Sequence, residues 1–116
     1  MDSHTNIMLD LECASIIASN PAIIEIGAIF FDLNTGTELE HFHTPISMSS
    51  CLGNDPSQPK LVTDPDTISW LPSTIPQTLQ ASEETMVTLE EALFKFKRFI
   101  EKCCKVTTRR LRELHT

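Results

Sequence analysis

The chain is 116 residues long, 41% apolar and 22% charged, which suits one small folded domain and excludes a disordered segment. No apolar stretch approaches the length of a bilayer span, and Met1 to Asn6 lacks the basic start and apolar core of a signal peptide, so an intracellular protein without membrane contact is expected. The net charge of −7 is uneven: residues 1–94 hold fourteen acids against Lys60, whereas residues 95–116 hold eight bases against Glu101 and Glu113. An acidic body repels nucleic acid and a basic end attracts it.

The first element is a strand at Ile7 to Glu12. Successive side chains on a strand point to opposite faces, so Ile7, Leu9 and Leu11 share one side while Met8, Asp10 and Glu12 share the other. Two neighbouring carboxylates on one face repel, and a divalent cation between them removes that cost. Asp-x-Glu is nonetheless a common tripeptide, and most such pairs are solvated surface groups.

Ala14 to Pro21 is a connection closed by Asn20-Pro21. Ile23 to Asp32 is almost wholly apolar and reads as a central strand covered on both faces. Gly27 inside it suggests close approach of another backbone or a packed helix. Leu33 to Gly36 supplies turn residues, and Thr37 to Ile46 follows as a more polar strand, completing an antiparallel hairpin. Ser47 to Val62 is a long loop.

A short helix is expected over Thr63 to Leu71, with Asp64 as N-cap, Pro65 as first residue and Pro72 as its stop. A second short helical piece begins near Pro76. Thr88 to Cys103 is the clearest helix: Thr88-x-x-Glu91 is a capping box, and Leu89, Ala92, Leu93, Phe96, Phe99, Ile100 and Cys103 form an apolar stripe. Beyond it the chain turns basic and loses any clear pattern. Cys13, Cys51, Cys103 and Cys104 show no paired spacing, so neither a zinc site nor a disulfide framework is indicated.

Leu9-Asp10-Leu11-Glu12, then Ile23-Ile24-Glu25-Ile26-Gly27-Ala28-Ile29-Phe30-Phe31-Asp32, a turn and a third strand resemble the opening of the DEDD 3′–5′ exonucleases of the ribonuclease H-like superfamily. Asp64-Pro65-Asp66-Thr67-Ile68-Ser69-Trp70 is similar to a segment that marks a small exoribonuclease-like subgroup. The resemblance implies an α/β fold with a ribonuclease H-like mixed sheet, three N-terminal strands and one long packing helix. It implies single-stranded RNA or DNA 3′ ends as substrate, hydrolysed with two Mg²⁺ or Mn²⁺ ions roughly 4 Å apart. Asp10 and Glu12 match the first two of four carboxylate ligands, with Glu12 the bridging one. Cys13, Ala14 and Ser15 match the position that contacts the terminal nucleotide. Trp70 is a candidate for stacking on a base, but a single Trp at the inner edge of a short helix is more often a core residue, and a core position is the expectation.

The departure from that pattern is large. No Asp occurs after Asp66, so the third and fourth carboxylates and the general base are missing, and His115 has no Asp beyond it. Residues 6–104 therefore read as the N-terminal part of such a domain, incomplete, with 105–116 a basic tail outside the fold. A truncated or mis-spliced reading frame is the expectation, with weak metal binding and no catalysis by the chain alone. A binding fragment using the basic segment Lys95 to Arg112 is the competing reading. A homodimer or partner chain covering the incomplete sheet is a third. Glu25 is not one of the four ligands, and His41 with His43 forms only half of a zinc site.

Overall fold

The computed structural model describes residues 4–114. Three strands, β1 (Thr5–Cys13), β2 (Ile23–Asp32) and β3 (Glu38–Pro45), form one antiparallel sheet in the order β1-β2-β3. Asp32 closes the hairpin: its Oδ1 accepts from the backbone N–H groups of Asn34 and Thr35. Gly36, at φ +73°, takes the left-handed turn position that a Cβ would strain.

Register decides what each face carries. Ile7 lies opposite Phe30, Leu9 opposite Ala28 and Leu11 opposite Ile26, which puts all six on one face. That face is the core face over β2, where Ile24, Ile26, Ala28 and Phe30 are buried. The alternate residues Ile23, Glu25, Gly27, Ile29 and Phe31 are only half-buried. Strand β2 is thus covered on one face, not both. Both of its faces are rich in apolar residues, and that conceals the alternation. No backbone crowds Gly27 either, since a Cβ there would meet nothing nearer than the Asp10 carbonyl oxygen at 4.0 Å.

The core has two parts. In the first, Ile24, Ile26 and Ile46 pack with Leu71, Leu89 and Ala92, joining the sheet to helices α1 (Pro65–Thr74), α2 (Pro76–Glu84) and α3 (Leu89–Leu114). In the second, Phe30 and Ala28 pack under Phe99 and Cys103 of α3. Phe42 of β3 completes it, with ring centroids 5.7 Å from Phe96 and 5.4 Å from Phe99. Two buried hydroxyls set the helices in place. Ser82 Oγ donates to the Ile46 carbonyl at 2.5 Å and accepts from Met48 N–H, and Ser50 Oγ accepts from Leu89 N–H at 3.0 Å.

Asp64 caps α1 as expected, with Thr67 Oγ1 donating to its carboxylate at 2.7 Å. Pro72 does not stop the helix. It is the eighth of ten residues, and only the bond its missing N–H would make to Ile68 is lost. The helix ends two residues later, where Ile75 N–H donates to the Leu71 carbonyl at 2.9 Å.

The larger difference lies at the C-terminal end. Residues 105–114 continue α3 instead of leaving the fold as a tail. Val106 packs against the second core cluster, and Thr107 is buried with its hydroxyl 3.4 Å from that of Thr5. Arg110 donates to the Asp32 carboxylate at 2.6 Å. The fold is α/β, as expected, with three strands, an antiparallel hairpin and one long packing helix; among the described residues the sheet consists of these antiparallel strands.

Candidate metal and nucleic-acid site

Asp10 and Glu12 stand side by side on the sheet face away from the helices, where Asp10 is exposed and Glu12 half-buried. Asp10 lies opposite Gly27, and Gly27 in turn opposite His43, so no side chain rises from β2 next to the Asp10 carboxylate. Glu12 lies directly opposite Glu25. Like charges opposed across an antiparallel pair destabilise it. Partial burial, and then the charges of Asp10 and Glu25, hold the Glu12 carboxyl above its ordinary range. Such a carboxylate gains from a neighbouring cation.

Glu25 is itself engaged, since His43 Nε2 lies 2.8 Å from its Oε1. His41 is likewise 2.8 Å from Glu38. Each histidine on this face has a carboxylate partner, and the two do not join a third ligand. Among the described residues no group of three or more His, Cys, Asp or Glu is placed to hold a metal ion. Asp10 and Glu12 offer the hard oxygen ligands that Mg²⁺ or Mn²⁺ prefers, but only two of them.

The segment after Glu12 turns sharply. Ala14 is buried, and its carbonyl accepts from Asp64 N–H at 3.0 Å, which fixes the start of α1 against the end of β1. Ser15 is buried too, with Oγ accepting from the N–H groups of Ile17 and Ala18. The side chains of Ala14 and Ser15 therefore shape a turn and do not face solvent. Cys13 is half-buried, and burial, then Glu12, raises its thiol pKa. Reactivity requires the thiolate, so this is a poor nucleophile.

The turn throws Ile16 and Ile17 outward, 82% and 79% exposed, against Trp70, 50% exposed on α1. With Asp64, Asp66 and Thr67 they line an apolar groove of about 420 Å³. Two adjacent isoleucines at the surface of a loop are unusual, and that was the available signal: a polar-tinged connection hides them. Within Asp64-x-x-Thr67-x-x-Trp70 the roles divide. Asp64 and Thr67 both line the groove and cap the helix, and Trp70 supplies the aromatic surface of the groove.

A family model for the Rv2179c-like 3′–5′ exoribonuclease domain matches residues 5–112. The chain belongs to that family. No curated protein matches it. The match takes in Asp10, Glu12 and Trp70, and it extends through most of the basic part of α3, in keeping with the packing of residues 106–110 on the sheet. Of the candidate residues in this exoribonuclease-like domain, Asp10 and Glu12 share one strand face. Trp70 lies across the groove from Ile16 and Ile17, at the end of the same strand. His115 lies outside the described residues. Among those residues no helix is long and apolar enough to cross a membrane.

Proposed function

We propose that this chain carries the first half of a DEDD-type 3′–5′ exonuclease site, with the 3′ end of single-stranded RNA as its ligand. The observation that carries the reading is the pair Asp10 and Glu12, side by side on the open face of β1 in a chain of an exoribonuclease family. Both carboxylates would hold Mg²⁺ or Mn²⁺, Glu12 as the bridging ligand. Bound divalent cations supply the charge that activates water and stabilises the leaving oxygen. Trp70 and Ile16 would receive the terminal base, since stacking on an exposed aromatic is tolerant of base identity. Cys13, Ala14 and Ser15 would contribute through the turn they form. Two carboxylates are half of the set such chemistry uses, so these 116 residues bind weakly and do not turn over alone.

Mn²⁺ binding followed by electron paramagnetic resonance tests the metal part. Binding should be measurable for the native chain and absent in Asp10→Ala. Equal binding by both would refute it. The single Trp of the chain reports on the groove directly. Short single-stranded RNA should quench its fluorescence, and an unchanged spectrum at saturating Mn²⁺ and RNA would count against base stacking there.

A second reading is favoured by one feature of α3, the exposed row Lys105, Arg109 and Arg112, which lines a shallow depression with Cys104 and Thr108. A non-catalytic nucleic-acid-binding role would use that row. It predicts binding that Asp10→Ala leaves unchanged and that falls with salt by a log–log slope of about −0.7 per phosphate contacted.

A further inference from the structure

The groove beside the end of β1 holds one group that base stacking does not use. Its lining of Ile16, Ile17, Asp64, Asp66, Thr67 and Trp70 contains two carboxylates and no base. Such a lining suits an uncharged heterocycle and repels a phosphate. The two carboxylates are not equivalent. Asp64 is occupied as the cap of α1, where its Oδ2 accepts from the N–H and the Oγ1 of Thr67. Asp66 is exposed, and among the described residues no hydrogen bond or ion pair ties its carboxylate. It precedes Trp70 by four residues on α1, so the two side chains are neighbours on one helix face, one turn apart.

We propose that Asp66 makes this groove selective for guanine, by reading the edge of a 3′-terminal base stacked on Trp70. The inference rests on the reading of the groove as the seat of that base. Stacking alone does not distinguish bases, because each has a π-face. An ionised carboxylate is an acceptor only, with two oxygens and no donor. Guanine is the one RNA base whose Watson–Crick edge offers two adjacent donors, N1–H and the 2-amino group, so it satisfies both oxygens at once. Adenine and cytosine each set one amine beside a ring nitrogen that accepts. Uracil sets its N3–H between two carbonyls. With those three bases a lone pair faces a carboxylate oxygen, a penalty added to the lost bond.

The surroundings favour the guanine pair. A single-stranded end leaves the Watson–Crick edge free to be read. A bidentate bond to an ionised group is both stronger and more directional than a neutral one. Ile16 and Ile17 form the wall across the groove from Trp70, and a base held there excludes water from the carboxylate. With no Lys or Arg in the lining, no cation competes for Asp66. An acid in the first turn also stabilises its helix electrostatically, but that role is indifferent to base identity.

The single Trp of the chain reports the selectivity directly. Pentaribonucleotides that differ only in a 3′-terminal guanine, adenine, cytosine, uracil or hypoxanthine are titrated onto the full chain with Mn²⁺, and Trp fluorescence gives each Kd. The guanine form should bind about five-fold tighter or more than the adenine, cytosine and uracil forms, the low end for a bidentate base contact. Hypoxanthine lacks the 2-amino group and should lose much of that advantage. Asp66→Asn replaces an acceptor with a donor and should carry the preference from guanine to adenine. Asp66→Ala should level the four bases, with the helical circular dichroism retained. Equal affinities in the native chain, or a guanine preference that survives both substitutions, overturn the proposal. Uniform quenching by all the oligonucleotides leaves base stacking on Trp70 standing, whereas quenching by none removes both readings.

Discussion

The two ends of the sheet are built on opposite terms. Under α3, the β2–β3 side is closed: Phe30 is fully buried in a cluster with Phe42, Phe96 and Phe99, the last two stacked and Phe42 tilted against both. At β1 the same sheet is open, with Leu9, Leu11 and Met8 half in water and Asp10 and Glu12 on a bare face. Burial explains the first side residue by residue. It explains nothing about Asp10 and Glu12, which share one strand face, where the Asp10 charge adds to the burial that raises the Glu12 carboxyl. The buried apolar side chains concentrate in β2, β3 and α3, and the proposed metal ligands stand on β1, the most exposed of the three strands.

Substitution on the two sides should separate these roles. Phe30→Ala empties the centre of the second core cluster and should cost about 3–5 kcal/mol, which is a large share of a small domain's stability. Urea denaturation monitored by circular dichroism checks it. Leu9→Ala, on the same sheet face but half-exposed, should cost less than about 1 kcal/mol. A larger loss at Leu9 than at Phe30 would break the comparison.

Trp70→Ala sharpens it from the binding side. Trp70 lies on α1 with half its surface in water, so its loss should change stability little. Affinity for short single-stranded RNA should fall by about 1–3 kcal/mol if a base stacks there. Fluorescence anisotropy of labelled RNA measures that loss. Unchanged affinity would separate the groove from the carboxylates.

What could be read from the residues follows the same division. That Asp10 and Glu12 share a face follows from the two-residue strand period, and local geometry alone guarantees it. The caps at Asp64 and Thr88 were legible for the same reason, because capping is a matter of the next three residues. Exposure was not legible. Trp70 has the composition of a core residue, and only the placement of α1 beside Ile16 and Ile17 leaves it in a groove. The end of α3 was hidden too. From Lys105 to Leu114 the apolar spacing thins to Val106, Leu111 and Leu114 among four bases, and polar contacts tie the segment to the sheet: Thr107 reaches Thr5 and Arg110 reaches Asp32, 102 and 78 residues apart in the chain. An ion pair of that span has no local signature.

The smallest predicted effects are the most discriminating, because two carboxylates, one on each side, should respond to pH with opposite sign. Arg110, hydrogen-bonded to Asp32, holds that carboxyl below its ordinary range, helped by the Thr35 and Asn34 N–H groups. A depressed folded-state pKa stabilises the fold above the ordinary carboxylate value, about 4, and that contribution fades as pH falls through the folded-state pKa. Arg110→Ala should therefore lower the melting temperature at pH 7, and its deficit relative to the native chain should shrink below about pH 4.

Glu12 is raised instead, by partial burial and then by Asp10 and Glu25. Its ionised form opposes folding at neutral pH, and protonation relieves that as pH falls through the raised pKa. Glu12→Gln should then be slightly more stable than the native chain at pH 7, by less than about 0.5 kcal/mol, since Glu12 is only half-buried at the sheet surface. The gain should vanish in acid. Saturating Mn²⁺ should reverse the order at pH 7, because an ion held by Glu12 stabilises only the chain that retains the carboxylate. If the native chain and Glu12→Gln keep the same order of stability with and without Mn²⁺, the bare face of β1 is merely unfavourable surface, and the division between a stabilising side and a chemical side fails.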